Sequence, residues 1–372
     1  MSRLRLAVIG AGHLGRIHAG IAARLQGAQL VAVVDAAPEA ARTVAAENHA
    51  KPLTDCRELF GCVDAAIVAT PTSSHAQVAS EMLQGGIHVL VEKPLTTTRD
   101  EAEQLVTLAR RQQLTLQVGH VERFNPALTS VRTRLKDPKY IEARRLSTYT
   151  FRSTDIGVVH DLMIHDIDVV LHLVQSPLEQ VEAVGISVLG QQEDMVSARL
   201  TFASGCVACL TASRMSYVAE RLMQVFTPEK CATLDFAARR SSIIEPSPEI
   251  LSRTFQSESL SVDEKAHLRD HLFTELLPKR ELPTVEVNAI EQEQLDFASA
   301  IRTGTLPQVT GSDGLQAVAI AEKILEQVAA HSWDGVSGTF HGSQAHLPLA
   351  DVIVEPDSWS DDDTVIIHRK AG

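Results

Sequence analysis

Residues 160–168 of this sequence, HDLMIHDID, place two histidines and three aspartates just before an apolar run, VVLHLV. On a helix with 100° per residue, Asp161, His165, Asp168 and His172 lie within one sector of roughly 60°, and the other faces are apolar. The pattern therefore predicts a buried helix whose polar stripe faces a cleft. Histidine in that stripe can exchange a proton near neutral pH.

A purely structural explanation of this stripe is also open. Aspartates and histidines on a buried helix can form a hydrogen-bond network within the core. We favour that role for Asp168 and His172. Asp166 lies outside the stripe and needs a different partner.

The stretch GAGHLG contains Gly10, Gly12 and Gly15 as GxGxxG, after a strand-like run and before a helix-like one. This context predicts a dinucleotide-binding turn. The first glycine permits a tight turn, the second lets a pyrophosphate approach, and the third lets the helix pack closely on the strand. The helix N-terminus favours phosphate, so His13 and Leu14 are also cofactor-binding candidates.

Asp35 ends the second strand-like run, 20 residues after Gly15. A carboxylate there binds the ribose 2′-hydroxyl and would repel a 2′-phosphate, which favours NAD over NADP. The alternative is that Asp35 only caps the next helix.

The elements that would position these residues change in type along the chain. Through residue 121, apolar strand-like runs alternate with helix-like segments, which is typical of a parallel sheet covered by helices. After residue 122, one helical piece (123–135) precedes longer runs with period-two alternation, and FASGC indicates a hairpin turn. The chain is helical again over about 290–331.

These patterns predict an α/β Rossmann domain followed by an α+β domain with a mostly antiparallel sheet. The predicted bounds are 1–121 for the NAD-binding domain, 122–334 for a substrate and oligomerisation domain, and 335–372 for a polar, acidic tail. The late helix, about 311–331, could return to the first domain.

Composition limits the class of function. The chain has 372 residues and a formal net charge of −13, which disfavours nucleic acid as the main partner. No apolar run approaches the ~20 residues of a membrane span, and the N-terminus lacks the long apolar segment of a signal peptide. Five scattered cysteines favour a reducing cytoplasm. Cys206 and Cys209 would face opposite sides of a strand, so we expect no metal site.

Three further motifs carry a family resemblance: EKP (Glu92, Lys93, Pro94), ATPTSSH (69–75) and VTGSDGLQAVAIAEKI near the end. With the glycine turn, they resemble the Gfo/Idh/MocA family of nicotinamide-dependent sugar and polyol oxidoreductases, over residues 1 to about 331. The resemblance implies an open second sheet and a substrate bound between the domains, over the nicotinamide.

The resemblance also implies roles for individual residues. Lys93 would be catalytic, since a partly desolvated lysine can serve in acid–base chemistry, although a surface lysine after a strand is common. The cofactor would contact Thr70, Pro71, Thr72, His75, Glu92 and Lys93. His75 could equally be a structural residue at a helix end.

DLMIHDID also matches the family pattern DxxxHxxD. The match implies that His165 is the general acid or base and that Asp161 contacts a substrate hydroxyl or orients the histidine. Further substrate-binding candidates, besides Lys93, Asp161 and His165, are Arg123, Asn125, Tyr149 and Arg152. An arginine in these positions could hold a phosphate or carboxylate, or form only a salt bridge with the protein.

The string RFNP…FRSTDIGVVHDLMIHDIDVVL most resembles one branch of the family, the bacterial nucleotide-sugar 3-dehydrogenases. These oxidise C3 of UDP-N-acetylglucosamine with NAD, giving a 3-keto sugar for a partner aminotransferase in lipid A precursor synthesis. His165 or Lys93 would take the hydroxyl proton. Alternatives are the corresponding glucuronate dehydrogenase, another sugar or polyol dehydrogenase, an NAD-dependent glycosidase, or a non-catalytic nicotinamide sensor. The resemblance further implies a homodimer or homotetramer.

Overall fold

The protein is described by a computed structural model that covers residues 3–151, 156–189 and 192–331. Two sheets organise these residues, one in each half of the chain. Arg152 and the tail predicted at 335–372 lie outside the described residues. No helix within the described ranges is long and apolar enough to cross a membrane.

The first sheet contains six parallel strands in the order β3-β2-β1-β4-β5-β6. Helices cover it, which explains why β4 and β6 are buried throughout. The predicted Rossmann sheet is therefore confirmed, although the three-residue edge strand β3 was not predicted. The strands are β1 Leu4–Ile9, β2 Ala28–Val34, β3 Lys51–Leu53, β4 Ala65–Val68, β5 His88–Glu92 and β6 Leu116–Gly119.

Four helices connect these strands, close to the predicted segments. They are α1 His13–Ala22, α2 Pro38–Glu47, α3 Thr72–Gln84 and α4 Arg99–Gln112. Helix α4 begins with a capping box, in which Thr98 accepts from the Glu101 backbone and Glu101 accepts from the Thr98 backbone.

The second sheet has eight strands in the order β14-β13-β12-β11-β7-β10-β9-β8. Only β7 and β10 pair in parallel, so the mostly antiparallel prediction is confirmed. The FASGC turn joins β9 to β10, with Gly205 at φ +79°. The strands are β7 Tyr140–Leu146, β8 Leu178–Ile186, β9 Met195–Phe202, β10 Val207–Ser213, β11 Glu220–Phe226, β12 Cys231–Asp235, β13 Arg240–Ile244 and β14 Lys279–Glu281.

The helical piece predicted over 123–135 is broken into short turns. Residues 121–124 and 132–134 form 3₁₀ turns on either side of α5, Pro126–Thr129. The break occurs because Asn125 caps α5, accepting from the Ala127 N–H, and Pro126 occupies its first position. The remaining helices are α6 Ile164–Val174, α7 Pro248–Leu251, α8 Val262–Glu275, α9 Ala289–Thr303 and α10 Gly311–Ala330.

Helix α9 lies against the first half of the chain, and α10 lies against both halves. Phe297 of α9 belongs to a buried cluster formed mainly by β1, β2 and α1. At the start of α10, the Val118 N–H of β6 donates to Val309, and Gly314 packs closely on Val118. Helix α10 also packs on α6 and β8. Helix α10 thus connects the two halves of the chain.

Candidate active site

A cleft of about 300 Å³ lies at the carboxyl ends of β1, β4 and β5. Parallel α/β sheets bind ligands in this crevice, where the strand order reverses between β1 and β4. The cleft is lined by Leu14, Ala69, Thr70, Pro71, Thr72, His75, Glu92, Lys93, Ile156 and Asp161. Residues from both halves of the chain therefore share one site.

The glycine turn at this cleft has little room for side chains. Gly10 has φ +101°, and a Cβ there would lie 2.4 Å from the Ala69 oxygen. A Cβ at Gly15 would lie 1.8 Å from the Gly10 oxygen, so a glycine is needed for α1 to approach β1. A Cβ at Gly12 would meet no described atom within 4 Å, which leaves open space in front of the N-terminus of α1. Here a pyrophosphate fits.

Asp35 joins the glycine turn to the next helix. Its carboxylate accepts from the Ala11 N–H at 2.7 Å and from the Ala37 N–H at 2.8 Å. Asp35 thus stabilises the segment before α2, although α2 itself has no side-chain cap. Its side chain is half-buried beside the glycine turn, and the ribose contact stays a prediction.

The segment after β4 forms the opposite wall. Thr70, Pro71 and Thr72 line the cleft. His75 is buried, and its two ring nitrogens contact the carbonyls of Pro94 and Thr70 at 2.8 and 2.9 Å. Burial lowers the pKa of His75, whereas its contacts with these two carbonyls act to raise it. His75 therefore fixes the wall to the EKP segment, and its ring nitrogens are taken by these two carbonyls.

Glu92 fixes the backbone of Lys93. The Glu92 carboxylate contacts His18 Nε2 at 2.6 Å and accepts from the Lys93 backbone N–H at 3.1 Å. Burial acts to raise the Glu92 pKa, but His18 and the charge of Lys93 together lower it, so Glu92 is ionised. The Lys93–Pro94 peptide bond is cis.

Lys93 connects the two halves of the chain. Its Nζ donates to the backbone oxygen of Asp161 at 2.7 Å and to the Asp161 carboxylate at 3.2 Å. The Lys93 side chain is 13 % exposed and that of Asp161 is 27 % exposed, so solutes in the cleft can reach the pair. A lysine ammonium has three donors, and two are used here.

Asp161 lies in a π-helical turn, residues 159–163, which precedes α6. A plain α-helix was expected over these residues. The turn is held by Glu193, whose carboxylate accepts from the Val159 N–H at 3.2 Å and occupies the space beside Gly157. Such wide turns are frequent at functional sites. Here the turn directs both the backbone and the carboxylate oxygen of Asp161 to Lys93.

His165 follows Asp161 by four residues, at the start of α6. Its Nδ1 atom is buried without a hydrogen-bond partner among the described residues. Burial, followed by the positive charges of Lys93 and Arg145, lowers the pKa of His165 well below its usual range. The ring is therefore neutral at neutral pH and can accept a proton.

Helix α6 is fixed by ion pairs that the sequence did not reveal. Arg145 on β7 donates to Asp166 at 2.8 and 3.0 Å and to Glu122 at 2.9 Å, and all three are buried. Asp166, which lay outside the predicted stripe, thus finds its partner on the sheet below.

The structure places two substrate-binding candidates in the interior, away from the cleft lining. Arg123 is 3 % exposed and donates to Asp168 at 2.7 and 2.9 Å, beside His172 and Asp313. Asn125 is buried and its amide donates to Glu122 and to the Phe236 carbonyl. Both side chains are bound in the interior and do not line the cleft, so we assign them structural roles. Asp168 and His172 have the structural role favoured above.

Tyr149 is not among the residues that line the cleft, and it approaches them only through Arg214. Its ring packs edge-on against Phe151, with 5.0 Å between centroids, and the Arg214 guanidinium lies 5.1 Å from its centroid. Arg214 in turn donates to the carbonyl of Ile156, which lines the cleft. Tyr149 remains a candidate for substrate contact.

The sequence interpretation missed His18, Glu193 and Arg145. His18 sits on the buried face of α1, so a histidine among apolar helix positions was the available signal. Nothing in the spacing of Glu193 or Arg145 indicated the partners that they find on distant elements.

Comparison with known proteins agrees with this geometry. Residues 4–120 match the oxidoreductase family with an NAD-binding Rossmann fold, GFO_IDH_MocA, and residues 127–229 match its C-terminal domain. A UDP-N-acetylglucosamine 3-dehydrogenase of Acidithiobacillus ferrooxidans is 40 % identical over 237 residues, 63 % of this chain and 75 % of that protein. This chain belongs to the Gfo/Idh/MocA oxidoreductase family.

Solved structures extend the likeness to the whole fold. The structure of the Acidithiobacillus ferrooxidans enzyme superposes with a TM-score of 0.78 at 33 % identity, over 89 % of this chain and 99 % of that one. Inositol 2-dehydrogenase of Rhizobium meliloti is 26 % identical over 88 % of this chain and 97 % of that protein. Levoglucosan dehydrogenase in complex with NADH shares the fold, with a TM-score of 0.75 at 19 % identity.

The protein is an NAD-dependent member of this family, whose first domain is an NAD-binding Rossmann fold. The residues at the cleft fit that cofactor. The open space at Gly12 accommodates a pyrophosphate, the half-buried Asp35 suits a ribose, and the cleft beside Pro71 and Lys93 leads to Asp161. The preference for NAD over NADP that Asp35 predicts stays a prediction.

Proposed function

We propose that this protein oxidises the C3 hydroxyl of UDP-N-acetylglucosamine to a ketone with NAD. The observation that carries the proposal is the junction of Lys93 and Asp161 at the cofactor cleft, with the neutral His165 four residues further along the same helical segment. The choice of sugar is supported by the 40 % identity to a relative with that activity.

The roles of the residues follow from their protonation states. NAD, when bound, accepts the hydride. Lys93 uses two of its donors on Asp161, so the third can donate to the substrate hydroxyl and orient it. His165 is neutral and can take the hydroxyl proton, a contribution of about 10²–10⁴-fold to the rate. Asp161 keeps Lys93 in place.

The wider setting is part of the same proposal. A 3-keto sugar is a substrate for an aminotransferase, which would place the reaction before amination in lipid A precursor synthesis. A cytoplasmic location belongs to the proposal, since five scattered cysteines are typical of a reducing compartment. The second sheet exposes Tyr140 and Phe226, which pack together on its outer face, and we propose that this face forms a homodimer or homotetramer. Light scattering of the purified protein measures the assembly.

The test is a turnover assay with NAD and three nucleotide sugars: UDP-N-acetylglucosamine, its glucuronate form and UDP-glucose. An aminotransferase and amino donor remove the ketone, since alcohol oxidation by NAD is uphill. Reduction of NAD with UDP-N-acetylglucosamine alone supports the proposal. Turnover of the glucuronate alone moves the protein to that sister activity, and no turnover of any of them refutes the nucleotide-sugar assignment.

A pair of lysine variants tests whether Lys93 itself is required for turnover. Lys93→Met should abolish turnover, whereas Lys51→Met, an exposed lysine on β3, should leave it unchanged. A Lys93→Met protein that retains its full biological effect would instead favour a non-catalytic sensor. Product analysis on an N-acetylhexosaminide distinguishes the glycosidase alternative, because cleavage releases a sugar without net NAD reduction.

A further inference from the structure

Glu293, on α9, is a buried acid that the mechanism above does not use. It is 0 % exposed, and neither carboxylate oxygen has a hydrogen-bond partner among the described residues. One of its oxygens lies within 4.8 Å of both a His18 ring nitrogen and a Glu92 oxygen. An unpaired ionised carboxylate in such a place is very costly. The side chain therefore needs either a proton or a cation.

His18 does not supply the cation. Gln294 Nε2 contacts the His18 carbonyl oxygen at 3.2 Å, which identifies this atom as the amide nitrogen. The same nitrogen lies 3.0 Å from His18 Nδ1, so Nδ1 accepts and carries no proton. The ring proton is then on Nε2 and is donated to Glu92. His18 is thus occupied by Glu92, 2.6 Å away, and does not donate to Glu293.

The other charges near Glu293 do not neutralise it either. Glu92 is a carboxylate that accepts from two N–H groups, and the Lys93 ammonium is directed at Asp161. Burial and then the negative charges of Glu92 and Asp296 raise the pKa of Glu293 well above its usual range. Among the described residues, the titratable groups that face this cluster include His18 on α1, His75 on α3, Glu92 and Lys93 at the end of β5, His120 after β6, and Asp296 on α9.

A metal ion would be a second way to satisfy Glu293. Two ligands of a tetrahedral zinc ion, each about 2.1 Å from the metal, lie about 3.4 Å apart. His18 Nε2 and Glu92 Oε1 are only 2.6 Å apart, which is a hydrogen-bond distance. The geometry therefore favours a proton.

We propose that Glu293 is a neutral carboxylic acid that hydrogen-bonds to Glu92, directly or through a buried water, and so positions Lys93 for the oxidation proposed above. One negative charge, and not two, then lies behind the lysine. Glu92 then accepts the single O–H of Glu293 in addition to its contacts with His18 and the Lys93 backbone N–H, which holds it behind Lys93. Glu293 is thus a positioning residue, acting through Glu92, and this role rests on the proposed function.

Infrared spectroscopy of the free protein tests the proton without any substrate. Near neutral pH, a protonated carboxylic acid gives a C=O band that is separate from those of carboxylates and amides. We expect this band in the unmodified protein and in Glu326→Gln, an exposed control on α10, and expect its loss in Glu293→Gln. A spectrum unchanged by Glu293→Gln, or stoichiometric zinc in the purified protein, overturns the proposal. A wrong choice of sugar would not affect this result.

Turnover then tests the positioning role. Glu293→Leu keeps a similar volume but removes the hydrogen bond to a charged partner, so kcat should fall about tenfold while NAD affinity is unchanged. Glu293→Gln can still donate and should restore most of kcat. Equal activity of the leucine variant and the unmodified protein, or a glutamine variant as slow as the leucine variant, refutes positioning through Glu92.

Discussion

Arg123 provides a sharp test, because the sequence suggested substrate binding and the structure shows a buried ion pair. In Arg123→Met, the guanidinium that donates two hydrogen bonds to the fully buried Asp168 is removed. Breaking a buried pair in this way costs about 3–5 kcal/mol. The structure therefore predicts a large loss of stability.

The magnitude can be worked out from protonation. Without Arg123, Asp168 must be neutralised to stay buried, and protonating an ordinary aspartic acid of pKa about 3.9 at pH 7 costs about 4 kcal/mol. This penalty falls by about 1.4 kcal/mol per pH unit on acidification. The loss of stability in Arg123→Met should thus be about 3–4 kcal/mol at pH 7 and about 1–2 kcal/mol at pH 5.

The assay is urea unfolding of the variant and the unmodified protein at both pH values. Arg123→Met combined with Asp168→Asn should recover most of the loss at pH 7, because no charge is left buried. Arg134→Met, at an exposed arginine in the adjacent turn, is the control and should change stability by less than about 0.5 kcal/mol. A stable Arg123→Met protein with a raised KM for the sugar would show that Arg123 binds substrate and that our assignment is wrong.

Three further predictions concern the cleft. Asp35→Ala should weaken NAD binding about tenfold and reduce discrimination against NADP, measured by fluorescence titration; an unchanged preference would contradict the ribose contact. His165→Ala should lower kcat by about 10²–10⁴-fold with NAD affinity near normal, and undiminished turnover would exclude His165 as the base. Burial lowers the pKa of His165 well below 6.5, so the ring stays neutral as the pH falls through 6.5. A plot of kcat/KM against pH should therefore stay level through 6.5 and decline only at lower pH. A decline centred on 6.5 that disappears in His165→Ala would disprove this.

The features that the sequence predicted are those set by local spacing. Gly10, Gly15 and Asp35 occupy one βαβ segment, so their geometry follows from their positions in the chain. The alternation of apolar residues likewise predicted β7 to β12, because each of these strands has one buried face. The edge strands β3 and β14, with three residues each, were missed because so short a run carries no periodicity.

Contacts between distant elements could not be predicted in the same way. Glu293 approaches Glu92 only because α9 returns to the first sheet, about 200 residues later in the chain. An arginine side chain gives no sign of which carboxylate it will meet, so Arg123 and Arg152 looked alike as ligands. The π turn at Asp161 depends on Glu193 and Lys93, which lie on two different elements.

The distribution of charge explains how the site keeps its geometry across two sheets. Arg145 and Arg123 pair with carboxylates of α6 in the interior, and Arg123 also approaches Asp313 at the start of α10, which packs on β6. Buried pairs add little net stability, but a displaced one is severely penalised. They therefore fix the position of α6 relative to β7, through Arg145, and to the turn after β6, through Arg123. The pair between Lys93 and Asp161, by contrast, is partly exposed and can exchange partners with a substrate at lower cost. The buried ion pairs of Arg123 and Arg145 thus hold α6 in place, while the partly exposed pair of Lys93 and Asp161 remains free to rearrange when a substrate binds.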